Sequence, residues 1–135
     1  MYEQILVPLK WDSSDELVAD HATSLALATG ARITLLHVLH SHSRDEAAYM
    51  QQEAQRYLDE VGSRISSRGV EAATRIATDE PAEGISSSAR DISADLIVMA
   101  THGHGEVRHL FLGSVTEDVI RQSEIPVLVI RPPED

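Results

Sequence analysis

Asp95-Leu96-Ile97-Val98-Met99-Ala100-Thr101-His102-Gly103-His104, continuing to Leu112-Gly113-Ser114-Val115-Thr116-Glu117, is the stretch on which the architecture turns. Leu96 to Ala100 is a short apolar run without alternation, the pattern of a strand covered on both faces. Gly113-Ser114-Val115-Thr116-Glu117 reads as a helix start, with Ser114 as N-cap and Glu117 three residues on completing a capping box. A loop running from the C-terminal end of a strand to a helix N-terminus is where open α/β sheets hold anions and nucleotides.

Outward from this stretch, strands and helices alternate. Gln4-Ile5-Leu6-Val7-Pro8-Leu9 is a first strand, and Pro8 belongs at its end, where a missing N–H costs no ladder bond. Asp12-Ser13-Ser14-Asp15-Glu16 offers N-caps and a negative first turn to a helix carrying Val18, Ala22, Leu25 and Ala26, which Gly30 stops. Arg32 to Leu39 is a second strand. A helix from about Asp45 to Ser67 follows, with Met50, Ala54, Tyr57, Leu58, Val61 and Ile65 as its apolar stripe. Val70 to Ala77, interrupted by Glu71 and Arg75, suits an edge strand. Pro81 opens a third helix that turns Ile85 and Ala89 inward. After the glycine-bearing loop, a last helix from Ser114 to about Ser123 buries Val115, Val119 and Ile120. Pro126 to Arg131 is the fifth strand. The β-α-β-α-β-α-β-α-β order asks for an open parallel sheet with helices on both faces and right-handed crossovers.

A switch point between the first and fourth strands puts a crevice at their C-terminal ends, faced by Pro8-Leu9-Lys10, Val38 and the glycine loop. The fifth strand then lies at an edge. Val127, Leu128, Val129 and Ile130 are too apolar to face water there, and the same strand of a second subunit is the expected cover, with a helix or the C-terminal tail as the alternative.

Composition sets the outer limits. The 135 residues are 42% hydrophobic and suit one domain spanning 1–135. No apolar run is long enough to cross a membrane. Met1-Tyr2-Glu3-Gln4 leads straight into a strand without a basic, apolar leader, so a cytoplasmic protein is expected. The absence of cysteine excludes disulfides, thiolate catalysis and cysteine-based zinc sites. Acidic residues outnumber Lys and Arg 22 to 11, for a net charge of −11, which speaks against nucleic acid as a partner. Lys10 is the one lysine, and such an acidic, lysine-poor surface suits a salt-rich cytoplasm or follows from codon usage.

Several segments together resemble the universal stress protein family in its single-domain form. They are Ile5-Leu6-Val7-Pro8, Thr34-Leu35-Leu36-His37-Val38, Pro81-Ala82-Glu83, Ala94 to Met99 with His102-Gly103, Leu112-Gly113-Ser114-Val115, and Pro126 to Val129. The resemblance implies a Rossmann-like five-stranded parallel sheet in order 3-2-1-4-5, of the adenine nucleotide alpha hydrolase type, and homodimers paired through strand 5. The family's ATP-binding branch carries Gly-x-x-Gly-x(9)-Gly-Ser/Thr. Here nine residues separate Gly103 from Gly113, and Ser114 follows. Ala100 replaces the first glycine, a change that a strand-like backbone tolerates and that a crowded approach to the ribose or phosphate would not. Lys10 stands where the family usually has aspartate after the first strand, and Trp11-Asp12 where Gly-Ser is common. Lys10 either contacts a phosphate or points outward, and Asp12 is a candidate substitute carboxylate.

The candidate nucleotide-binding residues are therefore Pro8, Leu9, Lys10, Val38, Met99, Ala100, His102, Gly103, His104, Gly113, Ser114, Val115 and Thr116. Backbone amides near Gly103 and Gly113, the Ser114 and Thr116 hydroxyls and the helix dipole would hold phosphates, with Arg108, His104 and His109 adding charge. ATP or AMP is the expected cofactor, with any Mg²⁺ held by phosphate oxygens and water. Trp11 either stacks on a base or packs against a neighbouring loop. His40, His42, His102 and His104 lie at the same sheet edge, but without helical pairing or cysteine they are not expected to hold a metal. Ser114 lacks a Ser–His–acid partner order, so no catalytic residue is assigned. Asp12 and Glu106 allow at most slow ATP hydrolysis or autophosphorylation. The expected function is an adenine-nucleotide-binding regulatory module of the stress response, working as a dimer. The alternatives are a nucleotide-free interaction dimer with a degraded pocket and a slow ATPase or nucleotidase.

Overall fold

The computed structural model describes residues 1–40, 44–101 and 113–133. Nine elements alternate: β1 (Gln4–Pro8), α1 (Ser14–Thr29), β2 (Arg32–Leu39), α2 (Arg44–Ser67), β3 (Ala72–Thr78), α3 (Pro81–Asp91), β4 (Leu96–Ala100), α4 (Ser114–Gln122) and β5 (Val127–Ile130). The strands form one parallel sheet in order β3-β2-β1-β4-β5. Ile5 is opposite Ile33 on one side and Leu96 on the other, and Ile97 is opposite Val127.

Strand parity divides the core into two layers. Ile5, Val7, Ile33, Leu35, Leu96 and Val98 pack with Val18, Ala22 and Ala26 of α1 and Leu58, Val61 and Ile65 of α2. Leu6, Leu36, Ile97 and Met99 face the other way, onto Ala82, Ile85 and Ala89 of α3 and Val119 of α4. Every residue of β1 and β4 is buried, as their continuous apolar runs require. Each fully buried Ile or Leu contributes about 1.5–3 kcal/mol of transfer free energy. Across the outer layer, α3 approaches β2 closely: a Cβ on Gly84 would lie 2.8 Å from a Val38 methyl. Glycine is what lets the helix sit there.

The edges match their composition. β3 is half-buried along most of its length. In β5, Ile130 is buried and Leu128 is 39% exposed. Gly30 ends α1 in the left-handed conformation, φ 79°, with its N–H donating to the Ala26 carbonyl.

The start of α4 differs from the expectation. Its N-cap is Gly113, at φ 96° and ψ 148°, and Ser114 is already inside the helix. No side chain caps this end, so the Ser114–Glu117 capping box is not made. Instead the Glu117 N–H donates to the Gly113 carbonyl at 3.0 Å. A cap position at positive φ with extended ψ is open to glycine and closed to serine, which displaces the helix start by one residue. Ile120 is likewise 44% exposed rather than buried. Val119 takes the inward position of that turn, and α4 is too short for a second.

Candidate functional site

The crevice follows from topology. β1 leads through α1 to β2 on one side, and its other neighbour, β4, leads through α4 to β5 on the other. The two connections leave the C-terminal ends of adjacent strands in opposite directions and open a gap between them. In chain order, the gap lies beyond Pro8 of β1 and Ala100 of β4 and before Ser114 of α4.

The residues play different parts. Pro8 is the last residue of β1, opposite Leu36. Leu9 is 3% exposed, belongs to the layer beneath α1 and α2, and donates its N–H to the Leu36 carbonyl at 2.8 Å. Val38 packs on the α3 side, against Gly84. Met99 and Ala100 are 1% and 2% exposed and point into opposite core layers. Ala100 pairs with Ile130 in the sheet and is not among the positive-φ residues. Its methyl is therefore core filling in a regular strand, and the replacement of glycine is absorbed without strain.

At α4, Gly113 is buried and Ser114 is exposed. Val115 packs against the α3–α4 layer, and Thr116 is 2% exposed. The N–H groups of Ser114, Val115 and Thr116 have no partner within the helix, and the helix dipole adds partial positive charge there. His102, Gly103 and His104, together with Glu106, Arg108, His109 and His42, lie outside the described residues. His40 Nε2 is 3.5 Å from Glu80 Oε1. Among the described residues no cluster suited to a metal ion occurs.

The turn between β1 and α1 is built around a carboxylate that sequence reading had assigned only to a helix's first turn. Asp15 is 4% exposed. It accepts the Lys10 N–H at 2.9 Å, the Trp11 N–H at 2.8 Å and the Tyr57 hydroxyl at 2.6 Å. Trp11 sits at φ 64°, a left-handed backbone that costs a bulky residue about 1–2 kcal/mol. Its indole lies parallel to the Tyr57 ring, centroids 5.1 Å apart and planes 12° apart, and meets His37 edge-on at 5.6 Å. His37 in turn donates from Nδ1 to the Leu9 carbonyl at 2.9 Å. Trp11 thus packs against a helix residue and a strand residue rather than a neighbouring loop, and stays 42% exposed. A tryptophan occupies a glycine-type conformation because a buried carboxylate and two aromatic rings hold it.

Lys10 is half-buried in this turn. Burial lowers the pKa of its ammonium below the ordinary lysine value, while Asp12 and Asp15 pull it back up. Asp12 is itself engaged: its Oδ1 accepts the Ser14 N–H at 2.8 Å and serves the start of α1. Burial also raises the Tyr57 phenol above its usual value, reinforced by its hydrogen bond to Asp15 and that residue's charge and opposed by Arg64. Sequence reading missed Asp15, Tyr57 and His37 as a unit. The one available signal was a carboxylate four and five residues beyond two loop amides, a spacing that lets it reach back to them.

Fold and site together define an open α/β domain with anion-compatible amides at its switch point. The universal stress protein family model matches residues 1–131, and the chain belongs to that family. A universal stress protein of Thermus aquaticus is 32% identical, with 97% of this chain and 100% of the relative covered. The structure of protein MJ0577 of Methanocaldococcus jannaschii superposes with a TM-score of 0.88 at 26% identity, covering 100% of this chain and 99% of that one. A universal stress protein of Archaeoglobus fulgidus in complex with dAMP superposes with a TM-score of 0.76 at 27% identity, covering 96% and 98% of the two chains.

Proposed function

We propose that the chain is a single-domain, adenine-nucleotide-binding regulatory module that works as a homodimer. The observation that carries this reading is Gly113. A buried glycine in a conformation closed to other residues opens α4, whose first amides lack intrahelical partners and suit an anion. The spacing of Gly103 to Gly113 and the dAMP complex of the Archaeoglobus fulgidus relative support the same assignment. Phosphates rest on the segment from Gly103 to Ser114, with His102, His104, Val115 and Thr116 beside it, and Mg²⁺ enters with ATP. The base lies toward Pro8, Lys10, Val38 and Met99. Bound nucleotide alters a partner-facing surface or the dimer. Pairing through Val127, Leu128, Val129 and Ile130 covers the apolar edge of β5.

One observation favours a second reading, a nucleotide-free interaction dimer. Lys10 replaces the carboxylate at the adenosine end, and Asp12, the candidate substitute, is held at the start of α1. Mass spectrometry of the denatured purified protein separates the two. ATP or AMP released in stoichiometric amount supports the first. No released nucleotide, and no thermal shift with millimolar ATP and Mg²⁺, supports the second.

A further inference from the structure

Trp11, Tyr57 and Asp15 form a line of contacts that runs from solvent to a buried carboxylate. The indole is 42% exposed and lies nearly parallel to the Tyr57 ring, with centroids 5.1 Å apart, well within aromatic contact. The Tyr57 hydroxyl donates to Asp15 Oδ2 at 2.6 Å, and Asp15 is 4% exposed. Two backbone N–H groups, of Lys10 and Trp11, fix the carboxylate, and His37 meets the indole edge-on. Trp11 holds a left-handed φ of 64° to reach this place, a conformation that persists only where the surroundings over-determine it.

Each part meets a requirement of one-electron oxidation. Indole and phenol lose an electron more readily than any other side chain except a thiol, and the chain has no cysteine to compete. Rings in contact exchange an electron without moving. A phenol gives up its electron easily only when its proton leaves too, because the oxidised phenol is a strong acid. Tyr57 keeps that proton at rest, since burial and the bond and charge of Asp15 raise its pKa. The group that holds the proton is itself a base at hydrogen-bond distance. We propose that Trp11, Tyr57 and Asp15 form a redox site that takes up oxidising equivalents from small inorganic radicals, such as the carbonate or azide radical. The radical removes one electron from the exposed indole and leaves as its anion. The indole radical takes an electron from Tyr57, the Tyr57 O–H bond breaks, and the proton passes to Asp15 Oδ2. Any N–H proton the indole sheds to water is taken back. Trp11 is restored, Tyr57 is left as the phenoxyl radical and Asp15 as the neutral acid. An electron from ascorbate reverses the last step, with Asp15 returning the proton. The site uses none of the amides at the start of α4 and stands if the nucleotide crevice proves empty.

The test is pulse radiolysis of the full chain with the azide radical, which oxidises indole, followed through the optical bands of the indole and phenoxyl radicals. In the parent, the indole radical is expected to decay with first-order kinetics independent of protein concentration while the phenoxyl grows at the same rate. In heavy water this transfer should slow, a measurement that needs no variant. Tyr57→Phe should leave the indole radical standing and remove the phenoxyl growth. Asp15→Asn should slow the transfer about tenfold, through loss of the charged hydrogen-bond acceptor. An indole radical that decays as fast in Tyr57→Phe as in the parent overturns the proposal. So does phenoxyl growth that survives in Tyr57→Phe, which would place the radical on Tyr2 or Tyr49. A transfer unchanged both in heavy water and in Asp15→Asn removes Asp15 as proton acceptor and overturns the site as well.

Discussion

Asp15→Ala should be the most damaging single change at the β1–α1 turn, because it strips three donors of one acceptor. Hydrogen bonds to a charged partner contribute about 1.5–3 kcal/mol each. The turn borders solvent, with Trp11 42% exposed, so water recovers part of each bond. Loss of the clamp also lets Trp11 leave its left-handed conformation, which returns about 1–2 kcal/mol. The net cost is then about 3 kcal/mol, a large share of the 5–15 kcal/mol typical of a domain. Urea unfolding followed by far-UV circular dichroism measures it, and the melting temperature should fall by about 10 °C. Asp15→Asn keeps one acceptor oxygen and should cost about half as much. Asp12→Ala removes only an exposed contact at the helix start and should cost about 1 kcal/mol. Trp11 fluorescence, from the chain's one tryptophan, should shift to the red in Asp15→Ala before global unfolding. An Asp15→Ala cost no larger than that of Asp12→Ala, with unchanged fluorescence, would refute the clamp.

Further outcomes follow from the same geometry. Gly84→Ala drives a Cβ to 2.8 Å from Val38 and should destabilise by about 1–2 kcal/mol, the overpacking cost less the helix-propensity gain, by chemical denaturation. Val38→Ala in the same chain should remove that penalty. Tyr57 has its pKa raised in the folded state, so its contribution is full below the unfolded value near 10 and is lost as pH rises beyond it. The stability gap between the parent and Tyr57→Phe should therefore narrow above pH ~10 in melts across an alkaline series. Val127→Asp or Val129→Asp should yield monomers by analytical ultracentrifugation; a persisting dimer would remove β5 from the interface.

The architecture was readable because its signals are local or periodic. β1 and β4 announce burial by unbroken apolar runs, and Gly30 and Pro81 mark helix boundaries by their own backbone limits. Ala100 was readable conditionally: once a strand backbone is granted, its methyl fits, and the structure grants it. What escaped is set by contacts distant in sequence. Asp15 and Tyr57 are 42 positions apart, and each alone looks like an ordinary helix residue. Serine is a good cap, so the local sequence favours Ser114 at that position. Gly113 prevails because the chain enters α4 at a positive φ, a fact of tertiary path rather than local preference. Ile120 failed for a related reason: α4 runs nine residues and presents one narrow face.

Whether the amides at the start of α4 hold a phosphate chain is the claim on which the functional reading depends. Titration of the labelled protein with ATP and Mg²⁺, read at the amides of Gly113, Ser114, Val115 and Thr116, tests it. Saturable shifts at these four positions are expected, and they should vanish in Gly113→Val while the remaining spectrum stays dispersed. If the four resonances do not move, or Gly113→Val binds ATP as tightly as the parent, the phosphate does not sit there.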